Sequence, residues 1–81
     1  MTREEVYNKV ADMISDQFEI DRSKISGSLN FQQDLDADSI DFVEFVLNLE
    51  SEFDASIADE DAEKLNTVDE AVDYIVSHSN N

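Results

Sequence analysis

One serine in this chain lies where a helix is predicted to begin, directly after an acidic loop at residues 34–38. Asp38 is a good N-cap residue, and Asp41, three positions later, suits the second position of a capping box. Ser39 is therefore predicted in the first turn, at the positive end of the helix and near solvent. A phosphate attached to its hydroxyl would lie beside backbone N–H groups that have no partner within the helix. The same residues also suit an ordinary helix start, so the spacing alone leaves both interpretations open.

The residues around Ser39 form part of a longer pattern. Residues 35–41, followed by Val43 and Glu44, closely resemble the attachment motif of the acyl carrier proteins, which reads Leu-Gly-Ala-Asp-Ser-Leu-Asp and then Val-Glu. Matching blocks continue in the family's order to about Ile75. Three positions depart from the family's common pattern, with Asp36 for Gly, Ile40 for Leu and Ala58 for Pro. We expect the first to alter the loop before the serine and the last to weaken the start of the third helix.

The resemblance implies a carrier and not an enzyme. A separate phosphopantetheinyl transferase would join the Ser39 oxygen to the 4′-phosphopantetheine of coenzyme A, with Asp38 as the adjacent motif residue. The thiol of that covalent arm would then hold acyl chains as thioesters and carry them between the enzymes of fatty-acid synthesis. The same resemblance implies that a growing acyl chain folds back into the protein. Two alternatives remain: a carrier for polyketides or another specialised acyl pathway, and an acidic helical adaptor that is never modified.

Helices are predicted to position this serine. Apolar periodicity and capping residues predict an all-α four-helix bundle, with three longer helices, one short helix and a long first loop. The first helix opens at Thr2 and ends near Gln17, and the loop then runs from about residue 18 to 38. The second helix covers about 39–53, the short one about 59–65, and the last opens at Thr67 with Val76 on its core face. Residues 77–81 are predicted to be loose.

The second helix carries apolar residues on two sides. Five of them form an ordinary core face, whereas Ile40, Val43 and Leu47 recur at i, i+3 and i+7 on the opposite side. An aligned apolar row bordered by acids is typical of a surface that contacts a partner, unless another element covers it. The predicted partner-binding residues are Ile40, Asp41, Val43, Glu44, Leu47 and Glu50.

Composition limits the class of protein and its partners. The 81 residues are predicted to form one domain, residues 1–81, and the resemblance makes it an acyl-carrier domain. A net charge of −16 disfavours nucleic acid and anionic membranes and favours proteins with basic patches. Without a membrane-spanning run or a recognisable signal peptide, we expect a monomer in the cytoplasm.

Other chemical sites are poorly supported by the sequence. The alternating acids at 34–38 do not fit a calcium-binding EF-hand loop, because Ser39 stands where that loop needs Gly and Phe45 where it needs Glu. We therefore predict no specific metal site. The chain has no Cys, and its single histidine, His78, lies near the end of the last helix, where a solvated role is expected. These features predict no catalytic residue.

Overall fold

The computed structural model of this chain describes residues 2–35 and 38–78, with Ser39 described by its backbone alone. These residues form four α-helices, three long and one short, which confirms the predicted all-α architecture. Within the described ranges there is no strand, and the only β-type pairing is an isolated antiparallel bridge between Asn30 and Thr67. The helices are α1 (Arg3–Phe18), α2 (Ser39–Phe53), α3 (Asp59–Ala62) and α4 (Val68–His78).

Capping residues set the ends of the first helix. Thr2 and Glu5 form a capping box at the predicted start of the helix, with each side chain accepting the backbone N–H of the other residue. At the other end, Glu19 adopts a left-handed conformation with φ 55° and its N–H donates to the Ser15 carbonyl. The helix therefore ends at Phe18, one residue beyond the predicted end.

The long first loop is fixed to the bundle by its apolar residues. Ile25, Leu29, Phe31 and Leu35 are all buried, so they anchor the loop to the core. A short 3-10 helix at Arg22–Lys24, which the sequence analysis missed, forms the first turn of this loop. The loop thus carries the chain from the end of α1 to the start of α2. The predicted effect of Asp36 on its geometry falls outside the described residues.

Backbone hydrogen bonds join the loop to the start of α4. The Phe31 N–H donates to the Asn66 carbonyl at 2.8 Å, and the Val68 N–H donates to the Leu29 carbonyl at 3.1 Å. Further along, the Asp69 N–H donates to the Gly27 carbonyl at 2.9 Å. A Cβ at position 27 would overlap the Asp69 carboxylate, so a larger residue there would displace that half-exposed side chain, which pairs with Arg3.

The core lies mainly between α1, α2 and α4. Each helix contributes one apolar face, and the first loop covers one end. The largest of the almost completely buried side chains are Val10 and Ile14 of α1, Phe45 and Leu49 of α2, and Val68, Val72 and Ile75 of α4. No helix in the described part of the chain is long and apolar enough to cross a membrane.

The last two helices differ from their predicted form in three places. α3 is only four residues long and ends at Ala62, and its N-cap residue, Ala58, has no side chain that can accept a hydrogen bond. Val76 was placed on the core face, but 40% of it is exposed because it lies beside that face and not on it. Ser77 and His78 were expected to be loose, yet both are helical, and His78 stacks on the Tyr74 ring at 3.9 Å.

Candidate functional site

Ser39 is the first residue of α2, where the sequence placed it. Asp38 is the N-cap residue, and its Oδ1 accepts the Asp41 N–H at 3.0 Å. Its carbonyl accepts the Phe42 N–H at 3.2 Å, which is the first backbone bond of the helix. This is the Asp38 half of the predicted capping box. The predicted solvent exposure of the Ser39 side chain falls outside what the structure describes.

The chemistry at this helix start suits a covalently attached phosphate. The amides of Ser39 and Ile40 belong to the first turn and have no carbonyl within the helix to bond, so the turn presents donors and a positive dipole end. Asp38 is exposed and Asp41 half-buried, and both add negative charge beside the serine. A free anion would be repelled by these carboxylates. An anion held by a bond to the serine needs no such affinity, and the donors would then stabilise it.

An exposed apolar row extends along α2 from this helix start. Ile40, Val43 and Leu47 are exposed by 68%, 55% and 58%, so within the described residues no element covers them. The predicted exposure of the row is therefore confirmed, whereas its role in partner binding stays a prediction. Apolar side chains aligned in this way are typical of an interaction surface.

Two of the predicted acids are held by neighbouring elements. The Glu44 carboxylate accepts from Gln17 Nε2 of α1 at 3.4 Å. The Glu50 carboxylate, on half-buried Glu50, accepts the Ile57 N–H at 3.1 Å. Glu50 therefore holds the segment that leads into α3, a structural task in addition to its charge. No sequence signal distinguished these two acids from the others on the helix.

A cleft of about 760 Å³ opens beside the apolar row. Its lining comes mainly from α2 and from α3 and the residue after it, and Phe18 of α1 and Phe31 and Gln32 of the first loop complete it. Its apolar lining consists of Phe18, Phe31, Phe42, Val43, Val46, Leu47 and Ala62. Its acidic lining consists of Asp38, Glu50, Asp59 and Glu63. The cleft can therefore take an apolar chain that starts near the beginning of α2.

A tyrosine on α4 holds α3 against this cleft. The Tyr74 hydroxyl donates to Asp61 Oδ2 at 2.9 Å. Burial raises the pKa of the Tyr74 hydroxyl, and the adjacent Asp61 carboxylate raises it further. The sequence did not predict a role for either residue. The two lie 13 positions apart, and their contact depends on how α3 packs on α4, which no local pattern indicates.

The remaining candidates carry no chemistry in the described residues. No group of three or more His, Asp or Glu residues in the described ranges is arranged to hold a metal ion. His78 Nδ1 lies 3.0 Å from the Tyr74 carbonyl of its own helix, far from the start of α2 in sequence. The site thus consists of the α2 start, the exposed row and the cleft.

Comparison with known proteins agrees with this arrangement. A sequence model of the family described as phosphopantetheine attachment site matches residues 8–75. An acyl carrier protein of Lactobacillus johnsonii is 68% identical over 80 residues, covering 99% of this chain and 100% of the relative. That of Rubrobacter xylanophilus is 45% identical over 78 residues, covering 96% of each chain.

A solved structure gives the same result. The acyl carrier protein of Enterococcus faecalis is 58% identical, has a TM-score of 0.84, and matches over 98% of this chain and 100% of that one. The resemblance seen in the sequence is therefore confirmed, and the prosthetic group that goes with it is 4′-phosphopantetheine. The chain belongs to the acyl carrier protein family and is a carrier, not an enzyme.

Proposed function

We propose that Ser39 carries the 4′-phosphopantetheine arm and that the protein transports acyl intermediates of fatty-acid synthesis as thioesters on it. The observation that carries this proposal is the position of Ser39 as the first residue of α2, directly after the Asp38 cap. When attached, the arm supplies the thiol that this chain lacks. Asp38 shapes the helix start, and the first-turn amides stabilise the phosphate.

The partners are a phosphopantetheinyl transferase and the enzymes of fatty-acid synthesis. Each should present an apolar groove edged by Arg or Lys, because the α2 surface combines an exposed apolar row with acids. No Lys or Arg occurs between Lys24 and Lys64, so this region is the most negative part of the chain. Acids at the edge of an interface chiefly raise the association rate, whereas apolar anchors act mostly on dissociation.

The acyl chain occupies the cleft between α2 and α3 when no enzyme holds it. Most residues that line the cleft are apolar, and Asp38, next to the proposed attachment residue, is also among them. Removing such a chain from water is favourable by about 0.8 kcal/mol for each buried CH₂ group. A chain of several carbons would thus be protected from hydrolysis between reactions.

The whole chain, residues 1–81, acts as a single acyl-carrier domain and as a monomer in the cytoplasm. One continuous core contains residues from the first loop and all three long helices, which supports the single domain. The cytoplasmic location is part of the proposed carrier role and rests on it. A specialised carrier would share all these features, and only the identity of the attached acyl groups separates the two.

Intact mass spectrometry tests the attachment. The purified protein is incubated with coenzyme A, magnesium and a phosphopantetheinyl transferase, and the modified peptide is then sequenced. We expect the gain of one phosphopantetheine group on Ser39 and no gain in Ser39→Ala. An arm on Ser39→Ala, or one mapped to Ser26, Ser28 or Ser51, would refute the assignment. A wild-type protein that is never modified would favour the adaptor alternative.

A further inference from the structure

One polar side chain of α1 contacts the proposed recognition helix. Gln17 lies in the last turn of α1, is half-buried, and forms hydrogen bonds with two residues one turn apart on α2. Asn48 Nδ2 donates to Gln17 Oε1 at 3.1 Å, and Gln17 Nε2 donates to Glu44 Oε2 at 3.4 Å. The three side chains form a continuous chain of hydrogen bonds across the α1–α2 seam.

The direction of these hydrogen bonds is determined by the charge at one end. An ionised Glu44 carboxylate can only accept, so Gln17 must turn its NH₂ group toward it. The Gln17 oxygen then faces Asn48, which must donate its own NH₂ group. Only one arrangement satisfies all three residues. The carboxylate therefore sets the orientation of the Gln17 amide, and the Asn48 bond helps to hold that amide in place.

We infer that Gln17 is a positioning residue that holds the Glu44 carboxylate ready for a basic partner. This inference rests on the proposed function, in which Glu44 contacts the transferase and the synthesis enzymes. Glu44 lies four residues after Ile40 and three before Leu47 on α2, and both are exposed, so the held charge borders the apolar row. Glu50 is held in a similar way by the Ile57 N–H, but that donor belongs to the backbone, so only a proline substitution would remove it.

A carboxylate held in place binds more tightly than one that must be ordered. Immobilising a flexible side chain at an interface costs affinity, and a structure that fixes it beforehand avoids that cost. Loss of the Gln17 contact should restore the usual cost of immobilising one side chain and so weaken complex formation about threefold to tenfold. The effect should fall on KM and not on kcat, since Gln17 is not among the residues at the start of α2.

The test is a double-mutant cycle on modification of the protein. Gln17→Met keeps the length and helix propensity of the side chain and removes the donor. It is measured alone and together with Glu44→Gln, using coenzyme A and a phosphopantetheinyl transferase, with Gln33→Met as the control at an exposed glutamine of the first loop. Urea denaturation of each variant reports any change in stability. Asn48→Ala, which removes the second hydrogen bond that holds the Gln17 amide, provides another route to the same loss.

We expect Gln17→Met to raise KM threefold to tenfold, Asn48→Ala to raise it less, and Gln33→Met to leave it unchanged. In the Glu44→Gln background the effect of Gln17→Met should disappear, because there is no carboxylate left to hold. An equal effect in both backgrounds would overturn the inference and make Gln17 an independent contact. An unchanged KM in Gln17→Met and Asn48→Ala would also overturn it. Failure of the wild-type protein to be modified would instead refute the proposed function.

Discussion

The two sides of the bundle differ in how much of their apolar surface is buried and in how firmly side-chain bonds hold the helices. On the α1–α4 side, the core face of α4 is almost completely buried, and Arg3 of α1 bonds both Asp69 at 3.1 Å and Asp73 at 2.8 Å. On the α2–α3 side, α3 has no buried residue and no side-chain cap. There an apolar row is exposed and a cleft of about 760 Å³ remains between the helices.

This difference indicates that, within 81 residues, one side of the bundle provides stability and the other provides a binding surface. A small domain has little apolar surface to bury, and here most of it holds α1 and α4 together with the inner face of α2. The apolar surface left on α2 and around the cleft is available to partners and to an acyl chain. Elements with few buried contacts unfold locally at a lower free energy than the core does. We therefore expect α3 to open before the rest of the protein.

The largest effect should come from the core of α4. Ile75→Ala should lower the free energy of unfolding by about 2–5 kcal/mol, because Ile75 is completely buried and truncation leaves a cavity. Leu47→Ala removes a similar apolar side chain that is 58% exposed. It should change the free energy of unfolding by no more than about 0.5 kcal/mol. Urea denaturation at fixed ionic strength measures both. A comparable loss of unfolding free energy in the two variants would contradict the distinction between a buried core that stabilises the fold and an exposed binding surface.

The next effect concerns the charge on the binding surface. Glu44→Lys should slow modification of the protein about tenfold at low salt and less at high salt, because its charge steers the partner. Modification rates measured between low and high salt give this dependence. Glu4→Lys is the matched control, an exposed glutamate in the first turn of α1. If Glu4→Lys slowed the reaction as much, only total charge would matter and α2 would lose its special role.

Much of this arrangement could be predicted from local sequence. The Thr2–Glu5 capping box, the range of α2 and the exposed row all follow from residue types at fixed spacing, since neighbours along a helix decide them. The bonds of Gln17 with Glu44 and of Tyr74 with Asp61 could not be predicted. They depend on how two helices pack, and exposed polar residues carry no periodic signal for such a contact.

A smaller, local effect is expected at α3. Tyr74→Phe removes only the hydroxyl that donates to Asp61, and such a bond contributes about 0.5–1.5 kcal/mol. The amides of α3 and the turn after it should exchange with solvent about twofold to tenfold faster, while those of α1 and the α4 core keep their protection. Hydrogen exchange followed by NMR measures this. An equal increase in exchange rate throughout the protein would show that α3 opens only when the whole protein unfolds.

The smallest effect is a dependence on alkaline pH. The pKa of Tyr74 is raised above its usual 10.0, so folding favours the neutral hydroxyl. Its contribution to stability is complete below pH 10 and is lost as pH rises through the raised pKa. The stability difference between wild type and Tyr74→Phe should therefore shrink above pH 10 in urea denaturation. A difference that stays constant to higher pH would mean that the neutral hydroxyl is not its source.

In our proposal, the start of α2 carries the acyl-bearing arm in the cell. Intact mass spectrometry of the protein purified from its native source, followed by sequencing of the modified peptide, tests it most directly. We predict one phosphopantetheine group on Ser39, with part of the population bearing fatty acyl thioesters. Protein that carries no arm, or an arm on any other residue, would contradict the account.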